Sequence, residues 1–376
     1  MRSLILAACL ATNVAFADEI IGFSAYENGD YNTAYPHLIQ SAEQGNDEAM
    51  YLLGRMYQYG YGVNQDDSKA SEWYRKAADK KNALAQLSLG YLYDTGRGVK
   101  QDYKEAFSWY MKSAEQGNAI AQRNIGLMYA TGDGVEASEK NAFEWFKKSA
   151  ELGYSKSQVN LAYQYMMGLG TEKNIESAFY WYDKAAQQGD SKGQYSLGLL
   201  YTGSYGIAAD QKAATYWFTQ AANQGHRNAQ AYLAYQYLNG YGIEEDPQKA
   251  AYWYKAAAEQ GQAEAQAEFG QMLLSGNGVD KDYEQAAYWF GKSAAQGNGT
   301  AQGKLGYLYL VGLGVTRDNI KAYAWLKLAV QNKNEQAQRE LDRLIPKLTV
   351  VEKQQGDALF DEMKQKPPVS EGSDDE

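Results

Sequence analysis

Residues 81–116 read KNALAQLSLGYLYDTGRGVKQDYKEAFSWYMKSAEQ, and this stretch decides the fold. Ala85, Leu89 and Tyr93 stand at i, i+4 and i+8, which predicts a helix over 82–95 with one apolar stripe. Gly90 lies beside that stripe, where a missing side chain lets a neighbouring helix come close. Gly96-Arg97-Gly98 ends the helix in a tight turn, and Val99 supplies an apolar plug. Asp102 is a capping residue for a second helix, along which Ala106, Trp109, Tyr110 and Ser113 recur at helical spacing until Gly117 stops it. Such a hairpin cannot bury its own stripe.

The same pattern runs in both directions along the chain. All eight tryptophans fall on one ladder, Trp73, Trp109, Trp145, Trp181, Trp217, Trp253, Trp289 and Trp325, with a constant step and no insertion. Gln86 and Ala106 begin two more such ladders. The caps equivalent to Asp102 are Asp66, Ser138, Asn174, Asp210, Asp246, Asp282 and Asp318, all capping types. The helix-stop glycine is replaced at Lys81 and Lys333, so those two turns are expected to be less comfortable. The predicted fold is all-α: a right-handed α-solenoid of stacked helix–turn–helix repeats with a 36-residue period. The tryptophan ladder reads as a packing device, because it is present in every unit.

Residues 45–332 hold eight repeats by this reading, flanked by a partial capping repeat over 18–44 and capping helices over 333–366. His37 takes the tryptophan slot in the first cap. Thr349 is placed to cap a last helix over roughly 350–364. Residues 367–376 form an acidic, apolar-poor tail that reads as disordered. Residues 1–17 carry Arg2, an apolar run from Leu4 to Leu10 and Ala15-Phe16-Ala17 before Asp18, the features of a cleaved export signal. Leu6-Ala7-Ala8-Cys9 offers lipidation of Cys9 as the minor alternative. The expected location is therefore periplasmic or secreted. Cleavage after Ala17 removes Cys9, the only cysteine, so no disulfide is available.

With these residues in place, the chain resembles the Sel-one-like repeat (SLR) family, relatives of the tetratricopeptide solenoids. Ala85, Leu89, Gly90, Tyr93, Gly96, Gly98 and Val99 match the first half of that family's unit. Asp102, Ala106, Trp109, Ser113, Ala114 and Gly117 match the second. The resemblance implies a non-catalytic adaptor. Bacterial members with an export signal are associated with envelope assembly, exopolysaccharide export and contact with host cells. A cysteine-rich branch is linked to β-lactam hydrolysis. This mature chain lacks its paired cysteines, so a hydrolase is the least supported reading.

The residues themselves point away from catalysis, cofactors and metals. The two histidines, His37 and His226, lack metal-ligand spacing. The Gly-x-Gly turns lack the strand and third glycine of a dinucleotide loop. Glu244-Glu245-Asp246 is ordinary in a chain with 46 acidic residues. A net charge of −10 repels nucleic acid, and no stretch of ~20 apolar residues exists to span a membrane.

Function is then expected where the repeats differ. Rotating by 100° per residue from the apolar stripe turns the slots of 87 and 91 outward. In solenoids of this type the first helices line the concave surface. The slot of 87 holds Tyr51, Arg123 and Tyr195; the slot of 91 holds Arg55, Tyr91, Leu127, Tyr163, Leu199 and Tyr235. Tyrosine and arginine are enriched at interface hot spots. These residues of repeats one to six are the candidate surface for a protein or peptide partner, with cell-wall glycan or exopolysaccharide as the alternative ligand. Packing of the tyrosines on adjacent first helices is the competing structural explanation.

Overall fold

The computed structural model describes residues 19–365. The export signal with Cys9 and the acidic tail therefore lie outside the described residues. Twenty helices and one 3-10 turn account for the regular structure described, with no strand among these residues. The first helices of the eight repeats, here called A helices, are Asp47–Tyr59, Ala83–Thr95, Ala119–Thr131, Ser155–Met167, Ser191–Tyr201, Arg227–Asn239, Ala263–Ser275 and Gly299–Val311. Their B helices are Asp67–Asp79, Tyr103–Glu115, Glu139–Glu151, Ile175–Gln187, Gln211–Asn223, Pro247–Glu259, Tyr283–Ala295 and Asn319–Gln331.

Local chemistry sets each boundary. Every B helix begins at a predicted cap, whose side-chain oxygen accepts a bond from a backbone N–H of the first turn. Most A helices are capped in the same way by the residue at the slot of Asn82, with Tyr154 making no side-chain cap bond. Seven of the eight A helices end on a left-handed glycine, such as Gly96 at φ 71°. The fifth stops two residues early, at Tyr201, because its glycine has moved forward to Gly203 and Ser204 stands in the usual glycine slot. Lys81 (φ 70°) and Lys333 (φ 62°) are the only non-glycine residues with positive φ among those described, as the missing stop glycines predict.

The chain divides into two compact units, the first running to Ala185 and the second from Ala186. Each unit is an α-solenoid of hairpins stacked in tandem. In the first unit, the A and B helices of one repeat are locked by a ring in a glycine notch. A β-carbon on Gly90 would sit 2.5 Å from Cδ1 of Tyr110, and Gly54 and Gly126 face Tyr74 and Phe146 alike. In the second unit Gly198 faces Phe218 in this way, Gly270 faces Phe290 and Gly306 faces Leu326. The ring slot (Tyr74, Tyr110, Phe146, Tyr182, Phe218, Tyr254, Phe290) is buried throughout. Burial of one such side chain contributes about 1.5–3 kcal/mol.

That slot, one residue beyond the tryptophan, is the centre of the core. Only Trp109 of the tryptophans is buried; the other seven are half-buried. In the first three repeats a lysine one turn on covers the indole: Lys76 on Trp73, Lys112 on Trp109 and Lys148 on Trp145, at 3.5–3.9 Å from the ring centroid.

Two devices join successive repeats within a unit. The second turn glycine, Gly98, lies against the start of the preceding B helix, where any β-carbon would overlap the Asp67 carbonyl. The glutamine ladder is the other. Gln86 Nε2 donates to the Ala78 carbonyl at the end of the preceding B helix, and its Oε1 accepts from Gln116 Nε2 at 2.7 Å. Gln230 and Gln266 repeat both bonds in the second unit. A single buried amide thus ties three segments together.

The ends of the array follow the same logic. At the start, a helix over 19–27 turns through Gly29 and Asp30 into Tyr31–Glu43, where His37 is half-buried. At the other end, the helix Val350–Gln365 opens with a reciprocal cap between Thr349 and Glu352. It packs on the last B helix: Gly356 receives the Tyr323 ring, and Asp357 accepts from the Tyr323 hydroxyl at 2.9 Å.

Candidate interaction surface

The slot of 91 projects from the A helices because it lies off the face carrying Ala85, Leu89 and Gly90, all of which are buried. In the first unit Tyr91 and Tyr163 are exposed there (40% and 46%), as is Tyr235 in the second (48%). Tyr307 occupies the same slot and is 42% exposed, although repeats seven and eight otherwise carry small or polar residues on this face. Exposed tyrosine therefore alternates, present in repeats two, four, six and eight. Arginine, leucine or glutamine fills the slot in between.

The remaining six candidates are half-buried and largely engaged by neighbours. Tyr51 tilts against Tyr74, with centroids 5.8 Å apart. Burial holds its hydroxyl above the ordinary tyrosine range. Arg55 lies over the rings of Tyr26 and Tyr59, at 5.9 and 5.8 Å. Burial opposes its charge, but the surrounding tyrosines outweigh that and raise the guanidinium. Arg123 Nε donates to Asn160 Oδ1 at 3.0 Å. Tyr195 stacks on His226 at 4.6 Å, and Leu127 and Leu199 pack against core rings of their own units. Inter-repeat packing and surface display share these slots.

A second aromatic stripe lies on the B helices, at a slot that none of the repeating ladders marks. The slot preceding the tryptophan holds Glu72, Ser108 and Glu144, then Tyr180, Tyr216, Tyr252 and Tyr288. All four tyrosines are exposed, each set edge-on to the following tryptophan at 4.9–5.1 Å. Tyr180 belongs to the first unit and the other three to the second. The change from acid or serine to tyrosine at one slot was the available signal.

His226 Nδ1 caps its A helix, accepting from the Ala229 N–H at 3.2 Å. Asp246 caps a B helix, and the Lys249 backbone N–H and ammonium hold its carboxyl below the usual range. Among the described residues no group of three or more His, Cys, Asp or Glu is placed to hold a metal, and no helix is long and apolar enough to cross a membrane.

A family model described as Sel1 repeat matches residues 47–82, 83–118, 119–154, 155–190, 191–226, 227–262, 263–298 and 299–334. Among solved structures, one similar chain is c5321, described as a protective antigen present in uropathogenic Escherichia coli strains displaying an SLR fold. It is 34% identical over 95% of this chain and 85% of its own, with a TM-score of 0.56. Another is a Sel1 repeat protein from Oxalobacter formigenes, 33% identical over 82% of this chain and 89% of its own, with a TM-score of 0.61. No curated protein matches the chain.

Proposed function

The chain belongs to the Sel1 repeat family, and from that premise we propose that it is a non-catalytic, exported scaffold binding a protein or peptide partner. The observation that carries this reading is the exposed tyrosine that recurs on the A helices. Large rings stay 40–48% exposed at Tyr91, Tyr163 and Tyr235, in a slot where other repeats place arginine, leucine or glutamine. Large rings with a polar tip are what interface anchors require. Tyr51, Arg55, Arg123, Leu127, Tyr195 and Leu199 complete the proposed surface of their own units and are half-buried.

Export rests on the leader at residues 1–17. The setting is the bacterial envelope or its contact with a host. The description of the uropathogenic E. coli relative as a protective antigen supports the second of these. Expression with the native leader, followed by fractionation and N-terminal sequencing, tests export, and a mature chain starting at Asp18 is the expected result. Affinity capture from envelope extract and host lysate tests partner class. Retention on insoluble cell wall without any protein partner contradicts the scaffold reading, as does rapid turnover of a β-lactam.

A further inference from the structure

The irregular fifth repeat opens a cavity of about 280 Å³ inside the second unit. Because its A helix stops at Tyr201, the following loop takes a different course, with Tyr205 at its tip. Tyr205, Tyr232, Tyr235 and Tyr241 line the opening, each between 40% and 48% exposed. Tyr232 is pinned by stacking on Phe218 at 5.1 Å, and Tyr235 meets Tyr241 at 47°, forming a corner of two rings.

Thr202, Ser204, Gln211 and Gln236 supply the polar lining. Gln236 is only 3% exposed, yet its Oε1 accepts no hydrogen bond from the protein. The fold does not require an amide there. The same slot holds Met56, Leu92, Met128, Leu200, Met272 and Leu308 in six other repeats. A buried acceptor without a protein partner is a standing cost to the fold, and Gln164 Oε1 bears the same cost in repeat four.

We infer that this cavity is a binding site for a neutral saccharide. No charged side chain lines it, so a charged ligand finds no counter-ion. Its volume falls below the about 300–1,000 Å³ of sites for drug-sized ligands, which restricts the occupant to one or two small rings. The tyrosine faces suit the C–H faces of a pyranose, and a turn of the Gln236 side chain brings its Oε1, closed to water as it stands, to a ring hydroxyl. Gln211 and the tyrosine hydroxyls both donate and accept around the rim. A quaternary ammonium would use the rings but leave Gln236 unmet. In repeat four, Gln164 occupies the equivalent slot, but Asp133 and Glu139 replace Tyr205 and Gln211, and Gln164 Nε2 donates to Glu139 at 3.5 Å. Only repeat six combines the buried amide with an uncharged aromatic wall. The site shares Leu199 and Tyr235 with the proposed scaffold surface, but its test reads sugar binding directly and needs no protein partner.

Saturation-transfer NMR on the full mature chain tests it, with glucose, galactose, mannose, N-acetylglucosamine and choline as separate probes at about 10 mM, enough to occupy a millimolar site. At least one sugar is expected to show transfer to its ring C–H protons. Gln236→Leu, which installs the residue of Leu92 and Leu200, is expected to weaken binding at least tenfold without loss of helical signal or thermal stability. Tyr235→Ala is expected to abolish it, and Gln164→Met to leave it intact. Transfer to choline alone, to no sugar, or equally in Gln236→Leu overturns the assignment.

Discussion

Gly90 and Tyr110 meet so closely that a β-carbon on the glycine would stand 2.5 Å from Cδ1 of the ring. The small residue and the large one form a single joint between the A and B helices of a repeat. Repeats four and six seat Ala162 and Ala234 in the glycine slot, both fully buried, so one methyl can be absorbed with adjustment. A branched side chain cannot. Gly90→Val is expected to cost about 3 kcal/mol by overpacking. Gly291, in the middle of a B helix with open space around its α-carbon, behaves oppositely. Gly291→Ala is expected to stabilise by about 0.5–1 kcal/mol through backbone entropy alone. Urea midpoints of the two variants check both signs.

Lys81 and Lys333 hold the left-handed conformation that glycine supplies at Gly45, Gly117 and Gly153. Replacing either by glycine relieves the clash of a β-carbon with the backbone but frees the unfolded chain. The balance is an expected gain of about 0.5–1 kcal/mol per site, and Gly117→Lys should lose a similar amount. Thermal melts of the three variants decide it.

Two glutamines in the same solenoid are expected to respond in opposite ways. Gln86 bonds to both Ala78 and Gln116, so Gln86→Leu breaks two bonds, takes the donor from the buried Ala78 carbonyl, and should cost about 1–3 kcal/mol. Gln164 is buried with an unpartnered Oε1 in a slot that holds methionine at Met56 and Met128. Gln164→Met is expected to stabilise by about 1 kcal/mol. Equal destabilisation of both would contradict the account of the polar ladder.

Asp94 accepts from the Tyr110 hydroxyl at 3.2 Å. Burial raises its pKa, the Tyr110 bond opposes this, and Asp133 adds to the rise. The folded state thus holds the proton to a higher pH than the unfolded state does. Stability therefore falls as pH rises from the ordinary aspartate value through the raised one. Asp94→Asn is expected to flatten that slope and to gain stability near neutral pH. Its advantage should vanish below the ordinary aspartate range, as denaturation at a series of pH values will show.

Much of this architecture is legible in the sequence, because identity repeats wherever the backbone leaves no choice. Asp102 at a helix start and Gly96 at a helix end are such places, and the two lysine exceptions proved to be the two left-handed non-glycines among the described residues. The deepest packing was harder to see. The tryptophan repeats without change yet is mostly half-buried, while the buried slot beside it holds either Tyr or Phe and ends in Leu326. A close-packed core constrains volume and shape more than identity. The surface was legible only in part. Helical rotation gives the direction of Tyr91 and Tyr195 equally, but the stack decides that His226 covers one and leaves the other in solvent. The cavity depends on a one-residue shift of glycine in repeat five, whose effect on the loop is not set by periodicity.

The most direct test of the scaffold reading is the affinity of a captured partner for matched variants of the full mature chain. Tyr91→Ala with Tyr163→Ala removes two exposed A-helix rings of the first unit, and Tyr252→Ala with Tyr288→Ala removes two exposed B-helix rings of the second. The account predicts at least a tenfold weakening, about 1.4 kcal/mol, for the A-helix pair and little change for the B-helix pair. Unchanged affinity in the A-helix variant, with its helical signal intact, would contradict it.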